Sequence, residues 1–135
     1  MKIYIATKFE DVTEYKELEN ILVSDGHSIT CDWTAHKSVH PFSDDRPICR
    51  SQSEEDLSGI RNSDVVILLY NGKKGSGMSF EIGYATALNK KVVMLGENSE
   101  DYSMFVHLDN FIHCSNIQEM KLVLDEYKIY RKEKR

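Results

Sequence analysis

The chain is short of cysteine, proline and positive charge, and it has no apolar run near the roughly 20 residues that a bilayer crossing requires. Three cysteines, Cys31, Cys49 and Cys114, are an odd number without CxxC spacing, which argues against a disulfide framework and against a structural zinc site. They read as free thiols. Met1-Lys2-Ile3-Tyr4-Ile5-Ala6 reads as a first strand and not as a signal peptide, so a cytoplasmic location is expected, with no membrane partner. Seventeen Lys and Arg against 22 Asp and Glu leave a net charge of -5, which disfavours nucleic acid as a partner. The locally basic tail Lys128 to Arg135 reads as a solvated helix end. With two prolines and no low-complexity stretch there is no sign of a linker, and 135 residues that are 41% hydrophobic fit a single domain over residues 1–135.

What is present is an alternation of strand and helix. Lys2 to Ala6 reads as a strand, and Asp11 to Ser24 as a helix with Tyr15, Leu18, Ile21 and Leu22 on its apolar face, ended by Asp25-Gly26. His27 to Trp33 alternates as a second strand. Thr34 to Arg50 is a long polar segment with Pro41 and Pro47, of the length that is usually functional or mobile. Ser51 or Ser53 then caps a helix to about Arg61. Asp64 to Tyr70 and Lys91 to Leu95 are apolar strands on either side of a helix from Ser79 to Asn89. Gly96 to Leu108 reads as loop or short helix, Asn110 to Cys114 as a last strand, and Gln118 to about Tyr130 as a closing helix.

Strand-helix-strand crossovers of this kind build parallel sheets. The expected fold is an α/β three-layer sandwich around a five-stranded, parallel, doubly wound sheet of flavodoxin-like order 2-1-3-4-5. In that order the first and third strands are neighbours, so Tyr4 and the loop Thr7 to Phe9 converge on the turn Gly72 to Gly77, where such sheets bind ligands.

Glu81 is the outstanding polar residue of the central crossover. It is read as lying in the first helical turn, where peptide dipoles alone can explain an acid. Yet Phe80, Ile82, Tyr84, Ala85, Ala87 and Leu88 surround it with apolar character, and a carboxylate in that setting usually has a partner or a task. Gly83 beside it suggests close approach by a backbone or a ligand. Tyr4, on a central strand, needs a partner for its hydroxyl, and Glu81 is the candidate. Asp56 is either an exposed helix-start acid or a site residue, and Asp64 tethers a loop backbone. Gly75-Ser76-Gly77 offers backbone amides to an anion, with Lys73 and Lys74 adding positive charge. Trp33, His36 and His40 flank the long loop, where an aromatic stacks on a base or packs the loop down; two histidines without a third ligand make no metal site.

Four segments carry a family likeness: Lys2 to Ala6, Gly26 to Ile29, Asp56 to Val66, and Gly77 to Val93, the last being the most specific. In these the chain resembles the nucleoside 2-deoxyribosyltransferase family and its relatives, the 2'-deoxynucleoside 5'-monophosphate N-glycosidases. The resemblance implies an enzyme that cleaves the N-glycosidic bond of a (deoxy)nucleoside or its 5'-monophosphate and passes the sugar to water or to another base. It implies Glu81 as nucleophile, Tyr4 as the tyrosine orienting it, and Asp56 as the aspartate that meets the sugar and protonates the departing base. Substrate-binding candidates are Thr7, Lys8 and Phe9 on the first loop, Trp33, and Gly75, Ser76, Gly77 and Ser79 at the helix entry. Ser103 falls where relatives place a polar residue that reaches a neighbouring subunit's substrate, which implies a homodimer or higher homo-oligomer with shared sites. No cofactor and no metal are expected.

The chain departs from the patterns of these relatives in three places. Lys73-Lys74-Gly75-Ser76 stands where transferases carry a base-reading aspartate, and lysines with a serine suit a 5'-phosphate better. Thr7-Lys8-Phe9-Glu10 replaces the glycine- and arginine-bearing first loop of the monophosphate hydrolases. The chain also continues past Tyr130, unlike transferases whose terminal carboxylate enters the site. Other readings of the same pocket are hydrolysis of NAD or a related nucleotide, or a nucleotide-sensing domain without turnover.

Overall fold

The structure, a computed structural model, describes residues 1–134; Arg135, in the basic tail, lies outside the described residues. Among them, five strands form one parallel sheet: β1 (Lys2–Ala6), β2 (Ser28–Ile29), β3 (Val65–Leu69), β4 (Lys91–Leu95) and β5 (Phe111–Cys114), in the order β2-β1-β3-β4-β5. This is the doubly wound order expected. Ile3, Ile5, Val65, Ile67, Val92 and Val93 are fully buried, because helices cover both faces of a parallel sheet. The helices are α1 (Val12–Ser24), α2 (Arg46–Arg61), α3 (Ser76–Ala87) and α4 (Ile117–Glu133). None is long and apolar enough to cross a membrane.

Strand register brings the predicted partners together. Ile3 pairs with Val65 and Ala6 with Leu68, so the carboxyl ends of β1 and β3 open side by side. Asn71, just past β3, donates to the Asp11 carboxylate at 2.8 Å and ties the two loops that follow these strands. Lys8 Cγ lies 3.6 Å from where a side chain on Gly75 would begin, so the first loop meets the α3 entry. At the other end of the sheet Asp64 accepts from the Lys2 amide at 2.8 Å and pairs with Arg131 at 2.9 Å, fastening β1, β3 and α4.

Four local expectations need correction. α3 begins at Ser76, with Gly75 as its N-cap, so Gly77 lies inside the first turn and Glu81 in the second. The dipole explanation for Glu81 therefore loses its basis, since dipole stabilisation fades beyond the first turn. α2 begins at Arg46, where the Asp45 carboxylate accepts from Ile48 N at 3.1 Å. Pro47 sits in that first turn, where a missing N–H costs nothing, and does not mark the loop. β2 is two residues long and Trp33 lies in a 3-10 turn over Trp33–Ala35, because the Asp32 carboxylate caps that turn and the indole N–H reaches back to Ile5 O at 3.0 Å. Gly83 is exposed, with nothing within 4 Å of where its side chain would begin, so no neighbour approaches there.

Close approach occurs instead at Gly59. A Cβ there would stand 2.7 Å from Cys31 Cβ and 3.0 Å from the Tyr4 ring, so only glycine lets α2 lie directly on β1. Asp56, three residues earlier, shares that helix face and is carried toward Tyr4 by the same contact.

Candidate active site

At the carboxyl ends of β1 and β3 lies a cavity of about 490 Å³. Tyr4 from β1, Asp56 from α2 and Glu81 from α3 all line it. The Tyr4 hydroxyl donates to Glu81 Oε2 in a short hydrogen bond, the partnership the sequence suggested. Tyr4 is fully buried; burial first, then the Glu81 and Asp56 charges, push its ionisation up. Glu81 keeps part of its surface toward the cavity while its carboxyl is enclosed. Burial outweighs the Tyr4 hydrogen bond, and with the Asp56 charge nearby lifts the Glu81 pKa from 4.5 to about 8.

Asp56 belongs to a second cluster. Its Oδ1 accepts from the Cys31 thiol at 3.6 Å and lies 3.7 Å from His36 Nδ1, while His36 Nε2 is 2.9 Å from Glu55 Oε2. Burial raises the Asp56 pKa, with His36 pulling the other way. The same burial, reinforced by Asp56, pushes the Cys31 thiol up to about 12. Residue spacing alone did not reveal this meeting of Cys31, His36 and Asp56, because the three arrive from the segment after β2 and from mid-α2.

Of the remaining candidates, Thr7, Lys8, Phe9 and Trp33 line the cavity from one side and Gly75, Ser76 and Gly77 from the α3 entry. Trp33 is 5% exposed and wedged edge-on against Tyr15 at 4.9 Å, so it packs the site down. Phe9, 5.8 Å from Trp33 and 47% exposed, and Phe42, 69% exposed, are the lining aromatics open to a flat ligand. Ser79 does not line the cavity: its hydroxyl donates back to Gly75 O at 3.2 Å and meets Tyr102 Oη at 2.8 Å. Ser103 also lies outside, its Oγ accepting from Phe105 N at the start of a 3-10 turn over Met104–His107. Lys73 and Lys74 are exposed and do not line the cavity, with the Lys74 ammonium 5.8 Å over the Tyr102 ring. The cations at the cavity are Lys8 and Lys37.

Lys37 belongs to the polar segment that sequence reading left without a role. Residues 37–42 roof the cavity, with Val39 buried. Gln52 of α2 pins the roof through two contacts to the Lys37 backbone, accepting from its N–H at 2.5 Å and donating to its C=O at 3.0 Å.

This cavity sits in a chain whose residues 3–123 match the family model described as nucleoside 2-deoxyribosyltransferase. The chain belongs to the nucleoside 2-deoxyribosyltransferase family. As a nucleoside 2-deoxyribosyltransferase family member it is an enzyme, and its chemistry is glycosyl transfer or N-glycosidic cleavage on small nucleosides or nucleotides. Two solved structures share the fold of this deoxyribosyltransferase family chain. A CMP N-glycosidase of Clostridium botulinum matches at 20% identity over 93% of this chain and 99% of its own, with a TM-score of 0.62. A 2-deoxyribosyltransferase of Bacillus psychrosaccharolyticus matches at 19% identity over 86% of this chain and 87% of its own, with a TM-score of 0.72. No curated protein sequence matches significantly.

The Glu81 carboxyl has a pH signature. The unfolded chain releases its proton near 4.5 and the folded chain near 8, so between these values folding takes up a proton, and the Glu81 contribution to stability falls as pH rises from about 5 to about 8. In Glu81→Gln this loss is absent. Thermal melts should show the variant gaining on the parent at pH 8–9 relative to pH 5; a pH-independent difference in Tm would contradict the raised pKa.

Proposed function

We propose that the enzyme cleaves the N-glycosidic bond of a (deoxy)nucleoside 5'-monophosphate by double displacement through Glu81. The single observation that carries this is the Tyr4 hydroxyl bonded to a Glu81 carboxyl in the wall of a cavity that Asp56 shares. A Glu81 carboxylate oxygen attacks the anomeric carbon, and the bond to the base nitrogen breaks with its electron pair leaving on the base. Asp56, its carboxyl held by burial toward the protonated form, gives the base a proton. The resulting glycosyl ester is opened by water, or by a nitrogen of a second base. The incoming nucleophile bonds to the anomeric carbon, its proton passes to Asp56, and Glu81 leaves as carboxylate.

The oxocarbenium character of both transition states suits this pair. A carboxylate costly to ionise in the unliganded cavity gains a cation beside it as the sugar develops positive charge, so the stabilisation is larger in the transition state than in the ground state. Tyr4, donating to one oxygen, leaves the other to attack.

The 5'-phosphate is seated at the α3 entry. The first-turn amides of Ser76, Gly77 and Met78 have no partner within the helix, and Lys8 lies beside them; Lys8, not Lys73 and Lys74, supplies the charge. Phe9 stacks on the base. The two structural neighbours, one a CMP N-glycosidase and one a 2-deoxyribosyltransferase, span hydrolysis and transfer. The phosphate seat and the replaced base-reading aspartate favour hydrolysis of the monophosphate.

The working unit is a homodimer or larger, with Ser103 reaching a neighbour's substrate. Supporting this, α3 turns Phe80, 65% exposed, and the open Gly83 outward, and Met104 and Phe105 beside Ser103 are 79% and 63% exposed.

Chromatography of a mixed panel of nucleosides, monophosphates and NAD, with and without an acceptor base, should show free base from monophosphates first. Glu81→Gln should lose about 10³-fold or more while melting cooperatively, and denaturing mass spectrometry of the parent should find an adduct of one pentose phosphate. Activity of Glu81→Gln within a few-fold of the parent removes Glu81 from the mechanism. Thermal shift without base release points to a sensing domain, and release only from NAD to the nucleotide hydrolase. Lys8→Ala should raise KM for monophosphates about tenfold or more and spare nucleosides, the loss expected for a charge-assisted bond; an equal effect on both refutes the phosphate seat. Light scattering should find a dimer or larger that Phe80→Glu dissociates, and a monomeric parent would refute shared sites.

A further inference from the structure

Cys31, His36 and Asp56 present one sulfur, one imidazole nitrogen and one carboxylate oxygen within 4.8 Å of one another. A tetrahedral zinc centre with its usual bond lengths sets adjacent donor atoms about 3.3–3.7 Å apart. Two of the three edges here have those lengths: Cys31 Sγ to Asp56 Oδ1 at 3.6 Å and His36 Nδ1 to Asp56 Oδ1 at 3.7 Å. The far ring nitrogen of His36 is 2.9 Å from the Glu55 carboxylate, the outer contact that fixes tautomer and ring orientation in metal-bound histidines.

The donors are also held in place by the fold. Cys31 Cβ is wedged against Gly59, and His36 follows the 3-10 turn that Trp33 anchors to β1, its amide donating to Trp33 O at 2.9 Å. Asp56 stands on α2 one turn before Gly59. Little side-chain ordering then remains for a metal to impose. His36 and Asp56 line the cavity, leaving a fourth position toward it, as an open site keeps for water or an exogenous ligand. Thiolate, imidazole and carboxylate together select a borderline-soft divalent ion of the zinc type over magnesium or calcium, which take oxygen.

We propose that Cys31, His36 and Asp56 form a zinc(II) site that, when filled, takes Asp56 out of the glycosidic reaction and switches the enzyme off. On binding, the Cys31 thiol loses its proton to solvent and the sulfur, the His36 Nδ1 lone pair and Asp56 Oδ1 bond to the metal; no electron transfer is involved. The inhibitory half rests on the role proposed for Asp56, and the metal site itself does not.

The test titrates the chelator-stripped, reduced full chain with cobalt(II) and zinc(II). Cobalt should give a thiolate charge-transfer band in the near ultraviolet, at one metal per chain, that zinc displaces. Cys31→Ser should abolish the band and His36→Ala should weaken metal binding at least tenfold, whereas Cys114→Ser should leave it unchanged. In the unsubstituted chain zinc should shield Cys31, among the three thiols, from alkylation as read by peptide mass spectrometry, a measurement that does not depend on any variant folding. Absence of the band, an undiminished band in Cys31→Ser, or unshielded Cys31 overturns the site. Saturating zinc should abolish base release and a chelator restore it; turnover untouched by zinc overturns the switch. Base release missing in the metal-free enzyme refutes the glycosidic reading, while the band and the shielding still decide the metal site.

Discussion

The enclosure of the Glu81 carboxyl against the Tyr4 hydroxyl is the constraint around which the rest is built. An acid in such a place is expensive to ionise, and a fold that keeps it must hold its one donor in place. Tyr4 is fixed by a strand buried on both faces, Glu81 by the second turn of a helix whose neighbours Met78 and Ile82 are buried. Neither residue is on a loop. The loops deliver other parts of the cavity wall: Lys8, Phe9 and the segment that Gln52 pins.

The cavity wall carries charges of both signs. It holds the Glu81 and Asp56 carboxyls, the Asp56 charge adding to the cost of ionising Glu81, together with Lys37 and with Lys8, which is paired to Glu10 at 3.1 Å. Gly59 is the quiet requirement beneath this arrangement, because the absent side chain sets the depth at which α2 rests on β1 and hence how near Asp56 stands to Tyr4 and Cys31.

The sheet was legible in the chain because Asp64 to Tyr70 and Lys91 to Leu95 are continuous apolar runs, which only strands buried on both faces require. The pairing of Tyr4 with Glu81 was legible too, since strand order brings the two segments together. Less was visible at element starts. Gly75-Ser76-Gly77 looks like a turn by composition, yet Ser76 and Gly77 are helical because the first turn tolerates poor helix formers. Pro47 misled in the same way. Lys73 and Lys74 adjoin the α3 entry in sequence but do not line the cavity, whereas Lys8, on the first loop, does. The His36 contact with Asp56 depends on Trp33 leaving the strand for a 3-10 turn, a tertiary choice set by the indole hydrogen bond to Ile5 that no local pattern announces.

That early departure from β2 has a further consequence. The sheet ends on this side with a strand of two residues, paired to Lys2 and Ile3 alone, after which the chain turns away. A foreign strand seeking to extend the ladder finds almost no free backbone to copy, so the margin of the sheet nearest the cavity is blunted against fibrillar growth by shortness, without recourse to charge or proline.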